Sequence, residues 1–312
     1  MEPRLAWNRS RLTTIQSSAF SPCNITGFFQ IHDSVGDPLR VGSTGVGVAL
    51  STGLTTRVSI HRTRHPSVVA RFNGRRLPVQ AVSNHVARKY LELDDGSWQV
   101  KISHECRYPS GHGYGTSGAG ALSLSLALNE AMGLSLSMPE AAQIAHLCEV
   151  ECKTGLGTVA SVFSGGLTVR NVPGAPEIGH IRKLNLPSSL RIVSASFGPI
   201  STRRVLASHS LKKTINACGR ALIEKFLRDA SYSNFMILSQ KFSNCVGLVS
   251  SRLGRAMNAL DSSGFTCSMM MLGESLFCLH PHEDVAPIEA ILRSHKLTPT
   301  TSLVARSGAS LI

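Results

Sequence analysis

The feature that most constrains the fold of this chain is a glycine-rich segment directly before a long run of small and apolar residues. Residues 109–121 read Pro-Ser-Gly-His-Gly-Tyr-Gly-Thr-Ser-Gly-Ala-Gly-Ala, and the run continues to Met132 before Gly133. A run of this length that ends in glycine indicates a helix, although the Leu-Ser alternation at 122–126 alone would also suit a strand. Glycines let a backbone approach a ligand closely, and the helix behind them offers unpaired N–H groups. The segment therefore predicts a phosphate-binding loop.

The segment differs from two common phosphate-binding signatures. No Gly-Lys-Ser or Gly-Lys-Thr triplet occurs, and the glycine spacing is not that of the dinucleotide fingerprint. Thr116 and Ser117 stand at the predicted start of the helix, where a hydroxyl group can reach a phosphate oxygen or a metal ion. A glycine-rich turn that only caps a buried helix is the alternative interpretation.

Composition and charge narrow the class of protein. The 312 residues are 42% hydrophobic and 16% charged, which allows a packed core. The formal net charge of +13 favours anionic partners, but the basic residues are scattered and no nucleic-acid-binding motif accompanies them. We therefore expect no nucleic acid partner. No apolar run approaches the ~18 residues of a membrane span and no signal segment is seen, so we expect no membrane association and a cytoplasmic location.

The eight cysteines predict free thiols. No CxxC pair occurs, and Cys148 and Cys152 have no histidine at zinc-finger spacing. The other cysteines stand singly, several of them in apolar runs. We expect them to be small buried residues in a reducing compartment.

Hydrophobic periodicity predicts a first half that mixes strands with helices. The predicted strands cover residues 17–26, 45–60, 68–72 and 98–102. The predicted helices cover residues 82–93, the run after the glycine-rich segment, and 137–152. Ser137 and Glu140 form a capping box at the start of the last helix.

The periodicity of the second half predicts an order of strands and helices that differs from that of the first half. The predicted strands cover residues 191–197, 265–272, 275–279 and 302–306, with a turn at residues 273–274. The predicted helices cover residues 212–227, 245–259 and 285–294. A β-α-β-β-α-β-like order predicts a ferredoxin-like domain. The expected division is an extension at 1–16, a mixed α/β domain at 17–188 and the ferredoxin-like domain at 189–312.

The glycine-rich segment resembles the phosphate-binding motif of the GHMP kinases, Pro-x-Gly-x-Gly-Leu-Gly-Ser-Ser-Ala. This chain has Tyr114 for the leucine, Thr116 and Ser117 for the serine pair and Gly118 for the alanine. The resemblance implies an α+β, two-domain GHMP kinase fold that uses ATP and Mg²⁺, with Ser117 as a metal ligand. The residues that it implies for the ATP phosphates are Pro109, Gly111, Gly113, Gly115, Thr116, Ser117, Gly118 and Ala119.

Four further segments are similar to motifs of the archaeal pantoate kinases and occur in order. Residues 21–29 read Ser-Pro-Cys-Asn-Ile-Thr-Gly-Phe-Phe, beside that family's Pro-Gly-His-Ile-Thr-Gly-Phe-Phe. Residues 42–48, 149–157 and 268–274 are similar to the later motifs, so the resemblance extends from about residue 17 to the C terminus. The substrate-contact residues that it implies are Thr26, Ser43, Gly45 and Gly273.

The metal and the acceptor hydroxyl group need particular side chains. One carboxylate beside one hydroxyl suffices for magnesium, which keeps several waters. Glu149 and Glu151 are two residues apart on a predicted helix and point in different directions, so one of them is expected at the site; the resemblance favours Glu149. The family carries an aspartate, which can act as a general base, where this chain has Thr158, and a histidine where it has Asn24. Thr158 and Asn24 are the expected catalytic positions.

The resemblance implies phosphorylation of pantoate by ATP to 4-phosphopantoate, on the route to coenzyme A, by a protein that could form a homodimer. Thr158 leaves two interpretations: transfer without a strong base, or a weak or different activity. The alternatives are therefore a GHMP kinase for another small alcohol and a non-catalytic nucleotide-binding homologue. The pantoate carboxylate needs a cation or an N–H cluster, for which Arg57 and residues 43–47 are candidates.

Overall fold

Two β-sheets organise the chain, and the computed structural model describes residues 13–34 and 36–312. The first sheet is built on a long hairpin in which β1 (Ile15–His32) pairs antiparallel with β2 (Gly42–Arg62). Because β1 already begins at Ile15, the predicted extension at 1–16 is too long by two residues, and residues 1–12 lie outside the described part of the chain.

The first half then alternates short strands with helices. The further strands are β3 (Ser67–Phe72), β4 (Arg75–Arg76), β5 (Trp98–Cys106), β6 (Leu167–Val172) and β7 (His180–Leu184). The helices are α1 (Val82–Leu91), α2 (Thr116–Met132), α3 (Met138–Cys152) and α4 (Thr158–Ser164). Helix α2 is buried almost all round, because its small and apolar side chains pack against the sheet and against α1, α3 and α4. The prediction of a helix here is confirmed, and the predicted capping box at α3 forms.

The second half contains the other sheet. Its strands are β8 (Arg191–Pro199), β9 (Cys267–Met269), β10 (Gly273–His280) and β11 (Thr300–Leu303). Its helices are α5 (Thr202–Ala207), α6 (His209–Arg228), α7 (Tyr232–Val246), α8 (Ser251–Ser262) and α9 (Ala286–Ser294). The strands lie in the order β11-β8-β10-β9, and all neighbours are antiparallel. This is the ferredoxin-like arrangement, so that prediction is confirmed, with four helices between its first two strands.

Several details of the second half differ from the sequence predictions. The predicted helix at 245–259 is wrong in its start, because α7 ends at Val246, Gly247 caps it in a left-handed conformation, and α8 begins only at Ser251. The turn before β10 lies at Met271 and Leu272, two residues earlier than predicted, since Leu272 takes the positive φ of 67°. Helix α5 and almost all of α7 were not predicted, and in the first half α4, β6 and β7 were not predicted either.

Cysteine pairing is a further correction. A disulfide joins Cys218 of α6 to Cys245 of α7, whereas the spacing along the chain predicted free thiols. The two cysteines are 27 residues apart, and only the antiparallel packing of two helices brings them together. The remaining cysteines are free and buried, as expected.

The two halves share a core and a strand. Phe28 and Phe29 of β1 pack against Phe226 of α6 and Phe242 of α7, with ring centroids 5.8 Å and 5.7 Å apart respectively. The last strand, β12 (Ser310–Leu311), pairs with β1 in the first sheet. The final residues therefore join the first half, although the predicted boundary at 188–189 gives them to the second. No helix in the described ranges is both long and apolar enough to cross a membrane.

Candidate active site

An open cleft of about 740 Å³ lies where the glycine-rich loop faces β1, β2, β6 and the start of α4. Many of its lining residues are hydroxyl-bearing side chains or glycines, which suits a polar ligand held by short contacts. Its polar lining residues include Asn24, Thr26, Ser43, Ser117, Thr158 and Arg170.

The glycine-rich loop reaches the cleft through Gly111, Gly113 and Gly115. Gly115 precedes α2 with φ of 65°, and a Cβ there would lie 2.8 Å from Cγ2 of Thr158, so a side chain is excluded on both counts. As a glycine it supplies no side-chain oxygen to the first turn of α2, unlike Ser137 at α3. The N terminus of α2 is thus left for a ligand to satisfy.

Ser117, in the first turn of α2, is hydrogen-bonded to a buried carboxylate. Its hydroxyl group donates to Oε1 of Glu149 at 2.5 Å, and the hydroxyl group of Thr154 donates to the same oxygen at 2.6 Å. Burial raises the pKa of Glu149, and these two hydrogen bonds oppose the shift. Glu151 instead points toward Lys89, with 3.9 Å between Nζ and Oε1. The two acids therefore diverge as predicted, and only Glu149 lies beside the cleft.

The deepest charged group of the cleft is Arg170 on β6, which the sequence reading missed. It is 3% exposed, and its Nη1 donates to Oγ of Ser161 at 2.6 Å while Nε donates to the carbonyl oxygen of Ser43 at 3.3 Å. No carboxylate pairs with it among the described residues. Burial lowers the pKa of Arg170 to about 10, so it stays protonated at neutral pH. The available signal was an arginine within the short run Leu-Thr-Val-Arg-Asn-Val at 167–172.

The residue before α4, Gly157, lies against Ser43 and Arg170 on one side of the cleft. A Cβ at Gly157 would lie 2.3 Å from Oγ of Ser43 and 2.7 Å from Nε of Arg170, so only glycine permits this approach. Thr158 follows it as the first residue of α4 and lines the cleft beside Gly115.

Asn24 and Thr26 reach the cleft from β1. Register shifts occur between Pro22 and Cys23 and again after Thr26, so both side chains sit on a stretch bounded by bulges. Bulges of this kind re-aim side chains, and they are frequent beside active sites. The main-chain N–H of Asn24 donates to the carbonyl oxygen of Tyr114 at 2.9 Å, which fixes β1 against the loop.

The remaining predicted site residues lie outside the cleft lining. Gly118 and Ala119 are buried in the first turns of α2, and Pro109 is exposed at the start of the loop. Gly45 pairs with Arg170 across β2 and β6, and Gly273 packs against the main chain of His112. His112 bonds Oγ of Ser196 through Nδ1 at 2.6 Å. Arg57, a candidate for the substrate carboxylate, is half-exposed and pairs with Glu105 at 2.7 Å instead.

Comparison with known proteins identifies the family. Residues 77–166, which include the loop and α2, match the model of the GHMP kinases N terminal domain. The pantoate kinase of Thermococcus kodakarensis is 33% identical over 287 residues, covering 89% of this chain and 92% of that protein. This chain belongs to the pantoate kinase family. The resemblance inferred from five sequence motifs is thereby confirmed.

Solved structures agree with membership of the pantoate kinase family. A structure described as a phosphotransferase related to the CoA biosynthesis pathway superposes with a TM-score of 0.86 at 29% identity, covering 96% of this chain and 99% of that one. A second, described as MDDEF in complex with MVAPP, AMPPCP and magnesium, has a TM-score of 0.71 at 16% identity, with coverage of 96% and 99%. At that identity the second likeness shows the fold alone. The α+β, two-domain GHMP kinase fold is confirmed.

Proposed function

We propose that this protein transfers the γ-phosphoryl group of ATP to the 4-hydroxyl group of pantoate, forming 4-phosphopantoate and ADP in coenzyme A biosynthesis. Relatives over most of the chain are named pantoate kinase. The observation that carries the choice of acceptor is Arg170, a buried cation without an acidic partner in a cleft beside a phosphate-type loop.

The loop end of the cleft is the proposed ATP phosphate site. Gly111, Gly113 and Gly115 bring main-chain groups to the cleft, and Thr116 and Ser117 add hydroxyl groups at the N terminus of α2. The converging N–H groups and the positive end of the helix dipole favour negative charge at this point. Pro109, Gly118 and Ala119 serve this site through the shape of the loop and of the first helical turn.

Ser117 and Glu149 are the proposed magnesium ligands. Their oxygens are hard donors already 2.5 Å apart, so one cation can contact both by replacing the hydrogen bond between them. Burial makes an ionised Glu149 costly without a cation, which fits a carboxylate that functions with metal bound. When bound, the ion would neutralise charge on the phosphates.

Arg170 is the proposed anchor for the pantoate carboxylate. A guanidinium group binds a carboxylate with two parallel hydrogen bonds, and low exposure strengthens such a pair. The Ser43 hydroxyl lies beside Arg170 at Gly157 and can donate to the same carboxylate or to the 2-hydroxyl group. Thr26 completes the polar wall on β1. Gly45 contributes indirectly, by pairing with Arg170, and Gly273 by supporting the loop.

The arrangement supports transfer mainly by positioning. The acceptor is held between Arg170 at one end and Thr158 at the other, with the phosphate loop next to Thr158. Phosphoryl transfer has a loose transition state, so alignment of the hydroxyl oxygen with the γ-phosphorus and neutralisation of charge carry most of the rate. Thr158 cannot accept a proton at neutral pH; its hydroxyl group can donate to a phosphate oxygen.

The deciding measurement is ADP release by the purified protein with Mg-ATP, offering pantoate, mevalonate, homoserine or no acceptor. We expect release only with pantoate, and a phosphorylated product that mass spectrometry identifies. Release with mevalonate or homoserine instead would assign another small alcohol. ATP binding without turnover on any acceptor would indicate a non-catalytic homologue.

A further inference from the structure

The cleft lacks a group that could act as a carboxylate or imidazole base. Among the described residues that line it, the polar side chains are hydroxyl groups, the amide of Asn24 and the guanidinium of Arg170. The nearest carboxylate, Glu149, is buried and holds hydrogen bonds from Ser117 and Thr154. Some other group must therefore orient the attacking hydroxyl group.

Asn24 has an unsatisfied atom at this position. The residue is 2% exposed. Its Oδ1 is buried and has no hydrogen-bond partner among the described residues, while Nδ2 makes a long contact of 3.3 Å to Oγ1 of Thr26. A buried carbonyl oxygen without a donor costs about 1–3 kcal/mol. A Cβ at Gly47 would lie 3.1 Å from Nδ2 and 3.3 Å from Oδ1 of Asn24. A Cβ at Gly115 would lie 3.5 Å from the Cβ of Asn24 and 2.8 Å from Cγ2 of Thr158, so both residues approach this glycine of the loop.

We propose that the side-chain amide oxygen of Asn24 accepts the hydrogen bond of the attacking 4-hydroxyl group and aims its oxygen at the γ-phosphorus. This inference rests on the proposed function. Asn24 already lines the cleft, and the proposal requires its amide to rotate about the side-chain torsions so that Oδ1 leaves its enclosed position and enters the cleft. An amide oxygen orients the hydroxyl group but does not remove its proton.

The chemical step then needs no protein base. The bond between the hydroxyl oxygen and the γ-phosphorus forms as the bond from that phosphorus to the β,γ-bridging oxygen breaks, and the electron pair leaves with ADP. The hydroxyl proton passes to an oxygen of the transferred phosphoryl group and is lost to water after transfer. Asn24 and Thr158 act by fixing distance and direction, which is the main requirement of a loose transition state.

The test distinguishes an effect of Asn24 on the 4-hydroxyl group from an effect on binding of the rest of pantoate. Asn24→Ala removes the acceptor oxygen but keeps the main-chain bond to Tyr114. With saturating Mg-ATP and pantoate we expect kcat to fall by roughly 10–100-fold, the loss for one hydrogen bond to a buried group, with the KM for ATP within twofold of wild type. The inhibitor 2-hydroxy-3,3-dimethylbutanoate, which is pantoate without its 4-hydroxyl group, should bind wild type and variant equally. Asn24→Asp, which keeps an oxygen at that place, should recover part of the lost kcat.

A matched control is Asn216→Ala, because Asn216 also supports β1 through its amide, with bonds to the main chain of Ile31 at 2.7 Å and 3.1 Å, but lies outside the cleft lining. We expect it to lower Tm without changing kcat. If Asn24→Ala keeps the wild-type kcat, or if it also loses affinity for the deoxy inhibitor, this inference fails while the proposed function stands. A wild-type protein that releases no ADP with pantoate overturns the proposed function, and this inference with it.

Discussion

The two ends of the cleft are built in different ways. The phosphate end comes largely from one continuous segment, in which glycines at 111, 113 and 115 lead into α2, and it relies on main-chain groups. The acceptor end uses side chains from four elements: Asn24 of β1, Ser43 of β2, Thr158 of α4 and Arg170 of β6. A main-chain site needs a local pattern of small residues, whereas a side-chain site needs only that distant residues meet. The first can be shared by many phosphate-using proteins, and in the proposed function the second would select the acceptor.

The largest expected effect is at the acceptor end. Arg170→Met should lower kcat/KM for pantoate by about 100-fold or more, since a buried cation opposite a carboxylate contributes about 2–5 kcal/mol, and should leave the KM for ATP unchanged. Tm should change little, because the variant removes a buried charge for which the described residues supply no acidic partner, and this gain opposes the loss of the hydrogen bonds to Ser161 and Ser43. Steady-state kinetics and a melting curve check both. Arg57→Met, at a half-exposed ion pair outside the cleft, is the control. An equal loss of kcat/KM in Arg57→Met would contradict the assignment of the carboxylate site to Arg170.

At the phosphate end, one hydroxyl group is expected to matter less. Ser117→Ala should reduce kcat by roughly 10-fold to 100-fold, because it removes one oxygen donor beside Glu149, and should affect ATP binding less. The magnesium concentration for half-maximal rate should rise. Turnover measured across a magnesium titration provides the check, and unchanged turnover would remove Ser117 from the metal site.

Thr158 lies between the two ends, and its replacement tests whether a base is needed. Thr158→Asp should leave kcat unchanged or raise it, by up to about 100-fold, since a carboxylate there could accept the hydroxyl proton. Thr158→Val, which keeps the shape without the hydroxyl group, is the companion variant. Initial rates with saturating pantoate and Mg-ATP provide the check. A large loss of kcat in Thr158→Asp would show that the threonine side chain itself is needed for transfer.

The smallest expected effect is on stability. Burial raises the pKa of Glu149, so the folded state binds that proton more tightly than the unfolded chain does. Without a cation, Glu149 contributes most to the free energy of unfolding below the ordinary glutamate pKa. This contribution is lost as pH rises through the raised pKa of the folded state. Magnesium binds the ionised form and should offset the loss. The Tm increase caused by Mg²⁺ should therefore grow with pH across this window, and should disappear in Glu149→Gln.

Most of the fold was predictable from local patterns. The helix after the glycine-rich segment, the capping box of Ser137 and the positions of the strands along the second half follow from periodicity and capping, which act over a few residues. The helix α4 was missed, because its seven residues follow two glycines and give little periodicity. The disulfide of Cys218 with Cys245 and the return of β12 to the first sheet depend on packing between segments far apart.

By itself, the sequence determined the family, the glycine-rich loop before α2 and the divergence of Glu149 from Glu151, because each depends on short motifs or on residues close together in the chain. Only the tertiary structure revealed that Arg170 is a buried cation facing the cleft, that Arg57 is not, and that the amide oxygen of Asn24 lacks a donor. Burial and the absence of a partner are properties of surroundings supplied by distant segments. A local pattern therefore predicts the proposed phosphate site, whereas the proposed acceptor site depends on the packing of β1, β2, α4 and β6.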